Sequence, residues 1–187
     1  MVERQDGDTF DYVIVGAGAA GSVLSNRLTE DGDRTVCVLE SGPPDRHPYI
    51  HIPAGFIKML FNPTYTWQFQ TEPGDGIGGR RIPTTQGRTL GGSSSINGMI
   101  YMRGTSADYD NWRQMGNEGW DYESVLPYFK KAEDNENGAN EFHGAGGPLR
   151  VSNQPYKWEI GEALLLACQQ AGIPYNPDFN GATQEGC

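Results

Sequence analysis

Three glycines spaced as Gly16-x-Gly18-x-x-Gly21, a glutamate at position 40 and the stretch "GRTLGGSSSINGMIYMRG" (87–104) are the parts of this sequence whose residue types and spacing could do chemistry. Gly16 allows a tight turn, Gly18 lets the backbone approach a pyrophosphate with no side chain between, and Gly21 permits close helix–strand contact. A helix opening at Ala19 and Ala20 would aim its unpaired N–H groups and positive dipole end at the same anion. Glu40 is placed to accept hydrogen bonds from a ribose, and its charge disfavours the extra phosphate of NADP. The pattern does not separate NAD from FAD.

In the second stretch, Gly91 and Gly92 remove side chains at a point of close approach. Ser93, Ser94 and Ser95 can satisfy ligand oxygens where water is scarce, and Asn97 offers donor and acceptor together. Set beside Ile96, Met99, Ile100 and Tyr101, which read as buried, these residues suit a flat ligand with polar edges. A polar hairpin turn packed on a core accounts for the same residues.

The elements that must position these groups follow from pattern. "FDYVIV" (10–15) and "RTVCVLE" (34–40) read as short buried strands, and "SVLSNRLTE" between them as a helix with Ala20, Leu24 and Leu28 on one face and Gly32 as its stop. Strand, helix and strand make a βαβ unit with parallel strands. Residues 42–87 are rich in proline and glycine but carry Phe56, Phe61, Tyr65, Trp67 and Phe69, and read as a long ordered excursion. Further on, "TSADYDNWRQM" predicts a helix capped by Thr105 or Ser106. "DYESVLPYFKKAE" predicts another, with Ser124 as cap so that Pro127 falls in the first turn. "KWEIGEALLLACQQAG" predicts an amphipathic helix with Ile160, Ala163, Leu164, Ala167 and Ala171 inward, stopped by Gly172 and Pro174.

The whole chain sets bounds. It has 187 residues with 26 Gly and 12 Pro, enough for one sizeable core or one domain and part of another. A net charge of -10 argues against nucleic acid and against docking on anionic lipid. Cys37, Cys168 and Cys187 form no CxxC, so neither a disulfide framework nor a metal site is expected. There is no apolar run long enough to span a bilayer and no secretory signal in "MVERQDGDTF". The expectation is a cytoplasmic protein.

Residues 87–110 resemble the first signature of the glucose-methanol-choline (GMC) flavoprotein oxidoreductases. Gly87, Arg88, Leu90, Gly91, Gly92, Ser93, Ser94, Ile96, Asn97, Tyr101, Gly104 and Asp110 all fall on it. "YTWQFQTEP" (65–73), "DYDNWRQMGNEGWDYESVLPYFKKAE" and "FHGAGGPLRV" are similar to the choline-dehydrogenase-like branch, so the likeness runs along nearly the whole chain from residue 10.

The resemblance implies an α/β fold: a Rossmann-like FAD-binding βαβ unit (10–42), a flavin-covering excursion with the signature (43–110), and helical segments leading into a substrate domain (111–187). It implies that Gly16, Gly18, Ala19, Ala20, Gly21 and Glu40 hold the ADP half of FAD. Trp67 and the stretch Arg88, Leu90, Gly91, Gly92, Ser93, Asn97, Gly98 and Met99 would meet the diphosphate and flavin. Some relatives attach flavin through a histidine just before the signature asparagine; Ile96 stands there, so non-covalent FAD is expected. The activity implied is oxidation of a primary alcohol, a small-molecule substrate, with hydride passing to the flavin and then to an unidentified acceptor, a quinone, carrier or O2. The family's catalytic histidine lies far toward the C-terminus. His47, His51 and His143 do not match it, so no catalytic residue is expected in this chain, which reads as an incomplete fold, an N-terminal fragment. A lyase or decarboxylase on the same fold, a nucleotide-binding module without catalysis, and an NAD-dependent dehydrogenase are the other readings weighed.

Overall fold

The computed structural model describes residues 7–187, so the reading of a missing signal falls partly, over residues 1–6, outside the described residues. The chain divides into two compact units, with the break between Ile100 and Tyr101.

In the first unit, β1 (Tyr12–Val15) pairs in parallel with β2 (Val36–Leu39), Tyr12 opposite Val36 and Val15 opposite Leu39. Parallel neighbours require a crossover, and α1 (Ala19–Leu28) supplies it. The expected burial of these elements is corrected by the structure. Only Ile14 and Cys37 of the two strands are buried, while Val13, Val15 and Leu39 are exposed, because a sheet of two strands leaves apolar surface uncovered. On α1, Ala20 and Leu24 are exposed and Gly21 is the buried residue. The helix ends at Leu28, where the Thr29 hydroxyl donates to the Ser25 carbonyl at 2.8 Å. Gly32, at φ +79°, closes the following turn rather than the helix.

The excursion is ordered, as its aromatic content predicts. It contains α2 (Pro48–His51), a 3-10 turn at Pro53–Gly55, α3 (Phe56–Met59), and the antiparallel pair β3 (Thr66–Gln70) and β4 (Pro83–Gly87). Pro48 sits in the first turn of α2, where its missing N–H costs nothing, and the His47 ring accepts the Tyr49 N–H. Met59 is almost fully buried, and with Ala17, Ile14, Cys37 and Ile96 it makes the apolar core of this unit.

The second unit holds α4 (Ser106–Gln114), α5 (Tyr122–Ala132), β5 (Glu133–Asn135) parallel to β6 (Leu149–Val151), and α6 (Glu159–Gln170). Thr105 caps α4 in a reciprocal box with Asp108. Asp121, not Ser124, caps α5, accepting the Ser124 N–H at 3.0 Å. Pro127 therefore lies inside the helix and leaves the Glu123 carbonyl without its helical donor. At the end of α6, Gly172 (φ +87°) donates to Gln169 and Ile173 to Cys168, a Schellman closure where the sequence has its Gly-x-Pro stop. The inward face of α6 differs from expectation. Ile160 and Leu164 are exposed, whereas Leu165 and Cys168 are half-buried. Leu164, Leu165 and Leu166 are apolar on every side, so periodicity alone does not choose a face.

No helix among the described residues is long and apolar enough to cross a membrane.

Candidate functional site

The two glycine turns, remote in sequence, meet in the first unit. The Gly91 N–H donates to the Ala17 carbonyl at 2.8 Å. Gly91 and Gly92 have φ of +87° and +58°, which side-chain-bearing residues adopt at a cost, and a Cβ on Gly92 would stand 2.9 Å from the Gly18 Cα. The bare Cα atoms here serve backbone-to-backbone approach between the turns. Gly21 is equally constrained, since a Cβ there would overlap the Gly16 carbonyl and press on Ile14. The turn at Gly16 is tied to the end of β2 by its N–H to the Leu39 carbonyl at 2.7 Å. Gly18, at the cap position of α1, offers no side chain, and the N–H groups of Ala19, Ala20 and Gly21 begin the helix with no intrahelical acceptor available to them.

Glu40 closes the arrangement from the β2 side. One carboxylate oxygen accepts the Ala17 N–H and the other the Gly42 N–H, each at 2.8 Å. Each oxygen keeps lone-pair capacity for a hydroxyl group.

A second tie, not anticipated from the sequence, joins the β2 end to the glycine-serine stretch. The Thr89 side chain is wholly buried, and its hydroxyl donates to the Pro43 carbonyl at 2.8 Å, which also takes the Leu90 N–H at 3.2 Å. Gly42 packs so closely on Arg88 and Thr89 that a Cβ would lie 2.2 Å from the Arg88 carbonyl. The available signal was the pair Ser41-Gly42 directly after the acidic strand end, a small-residue step where another backbone could pass.

The hydroxyls and amide of the stretch are partly committed to its own shape. Ser93 accepts the Gly87 N–H at 2.9 Å, keeping its own proton available, and Ser95 donates to the Leu90 carbonyl at 2.8 Å. Asn97 accepts the Met99 N–H at 2.9 Å, stabilising Met99 at φ +58°, the left-handed region. Ile96 is buried, but Met99 and Ile100 are exposed, contrary to their expected burial. No hydrogen bond among the described residues ties Asn97, Gly98 or Met99 to the Gly16–Gly21 turn. Trp67 on β3 meets Arg88, whose guanidinium carbon stands 4.6 Å from the ring centroid. The Arg88 Nε is buried and has no hydrogen-bond partner.

The second unit contains a polar cluster that sequence reasoning missed. Arg103 donates to Glu133 at 2.7 Å and to the Phe142 carbonyl at 2.7 Å. His143 lies between carboxylates, with Nδ1 2.9 Å from Glu133 and Nε2 2.9 Å from Asp178. Burial disfavours the charged imidazole, but its hydrogen bonds to Glu133 and Asp178 outweigh that and raise its pKa. Burial likewise opposes the Glu133 carboxylate, yet bonds from Asn135, His143 and Gly144 and the Arg103 charge hold its pKa down. His143 is thus buried with both ring nitrogens engaged by carboxylates.

Comparison with known proteins places this geometry in context. A family model described as GMC oxidoreductase matches residues 10–187. The chain is 45% identical over 186 residues to the mitochondrial choline dehydrogenase of Mus musculus, covering 96% of this chain and 31% of that protein. It is 46% identical over 176 residues to the oxygen-dependent choline dehydrogenase of Brucella ovis, covering 94% and 32%. Among solved structures, pyridoxine 4-oxidase from Mesorbium loti superposes with a TM-score of 0.87 at 34% identity, over 95% of this chain and 35% of that one. A formate oxidase superposes at 0.83 with 29% identity, over 95% and 33%. The chain spans about a third of the length of the relatives it matches.

Proposed function

Since the chain belongs to the GMC oxidoreductase family, we propose that its first unit binds FAD and that the protein it forms part of oxidises a primary alcohol to an aldehyde. The observation that carries this reading is the meeting of the two glycine turns, with the Gly91 N–H on the Ala17 carbonyl and Gly92 against Gly18. The residues fit the group. The start of α1 offers a helix N-terminus to a diphosphate, Glu40 retains acceptor capacity for ribose hydroxyls, and Arg88 carries a buried, unpartnered N–H.

In this reading Gly16, Gly18, Ala19, Ala20, Gly21 and Glu40 hold the ADP half. Trp67, Arg88, Leu90, Gly91, Gly92, Ser93, Asn97, Gly98 and Met99 hold the diphosphate and the flavin. Bound there, the flavin supplies the hydride acceptor. The chain's own contribution is position: Glu40 and Thr89 fix the two turns, and the Ser93 proton and Asn97 amide remain to meet polar edges. No residue of this chain is assigned the removal of the hydroxyl proton.

The flavin is held without a covalent bond, because Ile96, buried beside Asn97, has no atom that can attach it. The likeness to choline dehydrogenases favours a dehydrogenase acting on a small alcohol, with the electron acceptor left to experiment. The purified protein is expected to show the yellow flavin absorption bands, and acid precipitation should leave the pellet colourless and the supernatant yellow. Colourless protein after reconstitution with FAD would overturn the cofactor assignment. Flavin retained in the pellet would overturn only the mode of attachment.

A further inference from the structure

Cys168 and Cys187 show no paired spacing in the sequence, yet the fold of the second unit brings them together. Cys168 stands in the last turn of α6, and its carbonyl accepts the Ile173 N–H at 3.0 Å. Cys187 returns to the same place. Its thiol lies 3.9 Å from the Leu165 carbonyl, in the turn before Cys168, and 4.0 Å from the Ile173 carbonyl. It also hydrogen-bonds with the Cys168 thiol. The backbone holds it there: the Cys187 N–H donates to the Pro174 carbonyl and its carbonyl accepts the Asn176 N–H, both at 2.9 Å. The buried Asn176 side chain donates to the Thr183 and Glu185 carbonyls, so the loop that carries Cys187 back is fixed from within. Both thiols are half-buried and within reach of a small reagent, unlike Cys37, which is 3% exposed. Burial, and then the neighbouring Cys168, push the Cys187 pKa up, so the pair rests as thiols near neutrality. No group of three or more metal-ligating side chains occurs among the described residues, and what two adjacent thiols can do together is form a disulfide.

We propose that Cys168 and Cys187 are a modification site, which a small-molecule disulfide such as oxidised glutathione converts to an intrachain disulfide that locks the closing loop onto α6. One protein thiolate attacks a sulfur of the small disulfide and expels half of it as a thiolate. The second protein thiolate attacks the protein sulfur of that mixed disulfide, and the other half leaves. One Sγ–Sγ bond is made and the S–S bond of the reagent is broken. The reagent takes both electrons and both thiol protons, and ends as two free thiols. The loop so closed, from Gln169 to Gly186, carries Asp178, which meets His143 Nε2, and Asn180, which accepts the Arg103 N–H. Oxidation therefore restrains the segment that completes the polar cluster of this unit.

The test reads the linkage directly. The full protein, purified and reduced, is equilibrated with mixtures of oxidised and reduced glutathione at mildly alkaline pH, then alkylated and digested at acidic residues. Cleavage at Asp178 separates the two cysteines, so a disulfide between them joins two peptides that a reductant releases. The joined peptides should accumulate as the oxidised share of glutathione rises, in a protein that stays monomeric on a non-reducing gel. Cys37 should be alkylated only after unfolding. Hydrogen exchange over residues 169–186 should slow by about tenfold or more on oxidation, and this slowing should be absent from Cys168→Ser and Cys187→Ser. Cysteines that carry glutathione singly and never join overturn the proposal, as does a link found only between molecules. A joined pair with unchanged exchange over 169–186 overturns the locking role. Because the linkage is read in the wild-type protein, the test stands even where a serine variant fails to fold.

Discussion

Arg88 in the first unit and Arg103 in the second are both guanidiniums laid on aromatic rings, 4.6 Å from Trp67 and 5.2 Å from Phe129. Their surroundings differ in kind. Arg103 spends its donors on Glu133 and the Phe142 carbonyl, and its own backbone N–H and carbonyl are taken by Asn180 and Gln184. Arg88 spends none of its side-chain donors. A buried charge whose partners are all in the chain is an internal fastening. Arg88 is half-buried with its Nε out of water, and in the FAD reading proposed above its donors are kept for the ligand.

The comparison can be broken most directly by removing one side chain from each unit. Glu133→Ala strands the buried Arg103 and His143 cations, and should cost about 3–5 kcal/mol of stability by denaturant titration, as expected when one member of a buried ion pair is lost. Arg88→Gln in the same assay should cost no more than about 1 kcal/mol, the contact with the Trp67 ring, since no intrachain charge is stranded. Equal losses would mean that the two arginines do the same work.

A second, smaller effect should follow pH. The His143 pKa is raised on folding, so its contribution is complete below its unfolded value of 6.5 and is lost as pH rises through the higher folded value. The Glu133 pKa is lowered, so its contribution is complete above its unfolded value of 4.5 and is lost as pH falls through the lower folded value. Together these two groups place maximal stability between 4.5 and 6.5. Thermal melts across pH should decline on both flanks, and His143→Gln should flatten the alkaline flank and reduce the acid one, which Asn135, Gly144 and Arg103 still support through Glu133. A melt unchanged on the alkaline side in the wild type would show that His143 is not held charged.

The smallest effect belongs to the first unit. Thr89→Val keeps the shape but deletes the hydroxyl that the Pro43 carbonyl accepts, which should cost about 1 kcal/mol and weaken FAD uptake with it. If stability falls while FAD uptake is unchanged, the tie at Pro43 serves the fold and not the site.

The same contrast explains what could be read from the sequence. The first unit's turns were legible because close backbone approach admits little besides glycine, and glycines at 16, 18, 21, 91 and 92 show that demand in their spacing. The βαβ order followed from two β-branched runs flanking a helical one. The fastening in the second unit left no such trace. Arg103, Glu133, His143 and Asp178 are ordinary polar residues scattered along the chain, and only folding brings them into one group, the first three buried and Asp178 at its exposed edge. Pro127 misled because its preference for a first turn is strong, while Asp121 is simply the better cap for the helix that forms. On α6 three consecutive leucines erased the contrast between faces. Thr89 stayed hidden because nothing distinguishes a threonine that bonds across a fold from one in solvent.

Glu40 carries a consequence of its own. Its two oxygens are moored to the amides of Ala17 and Gly42, one oxygen to each. Such a carboxylate cannot swing aside when something unwelcome arrives. In the FAD reading proposed above, a ribose with free hydroxyls would find these acceptors already aimed, whereas one bearing an extra phosphate would meet a negative charge held in place, a discrimination that asks no motion of the protein.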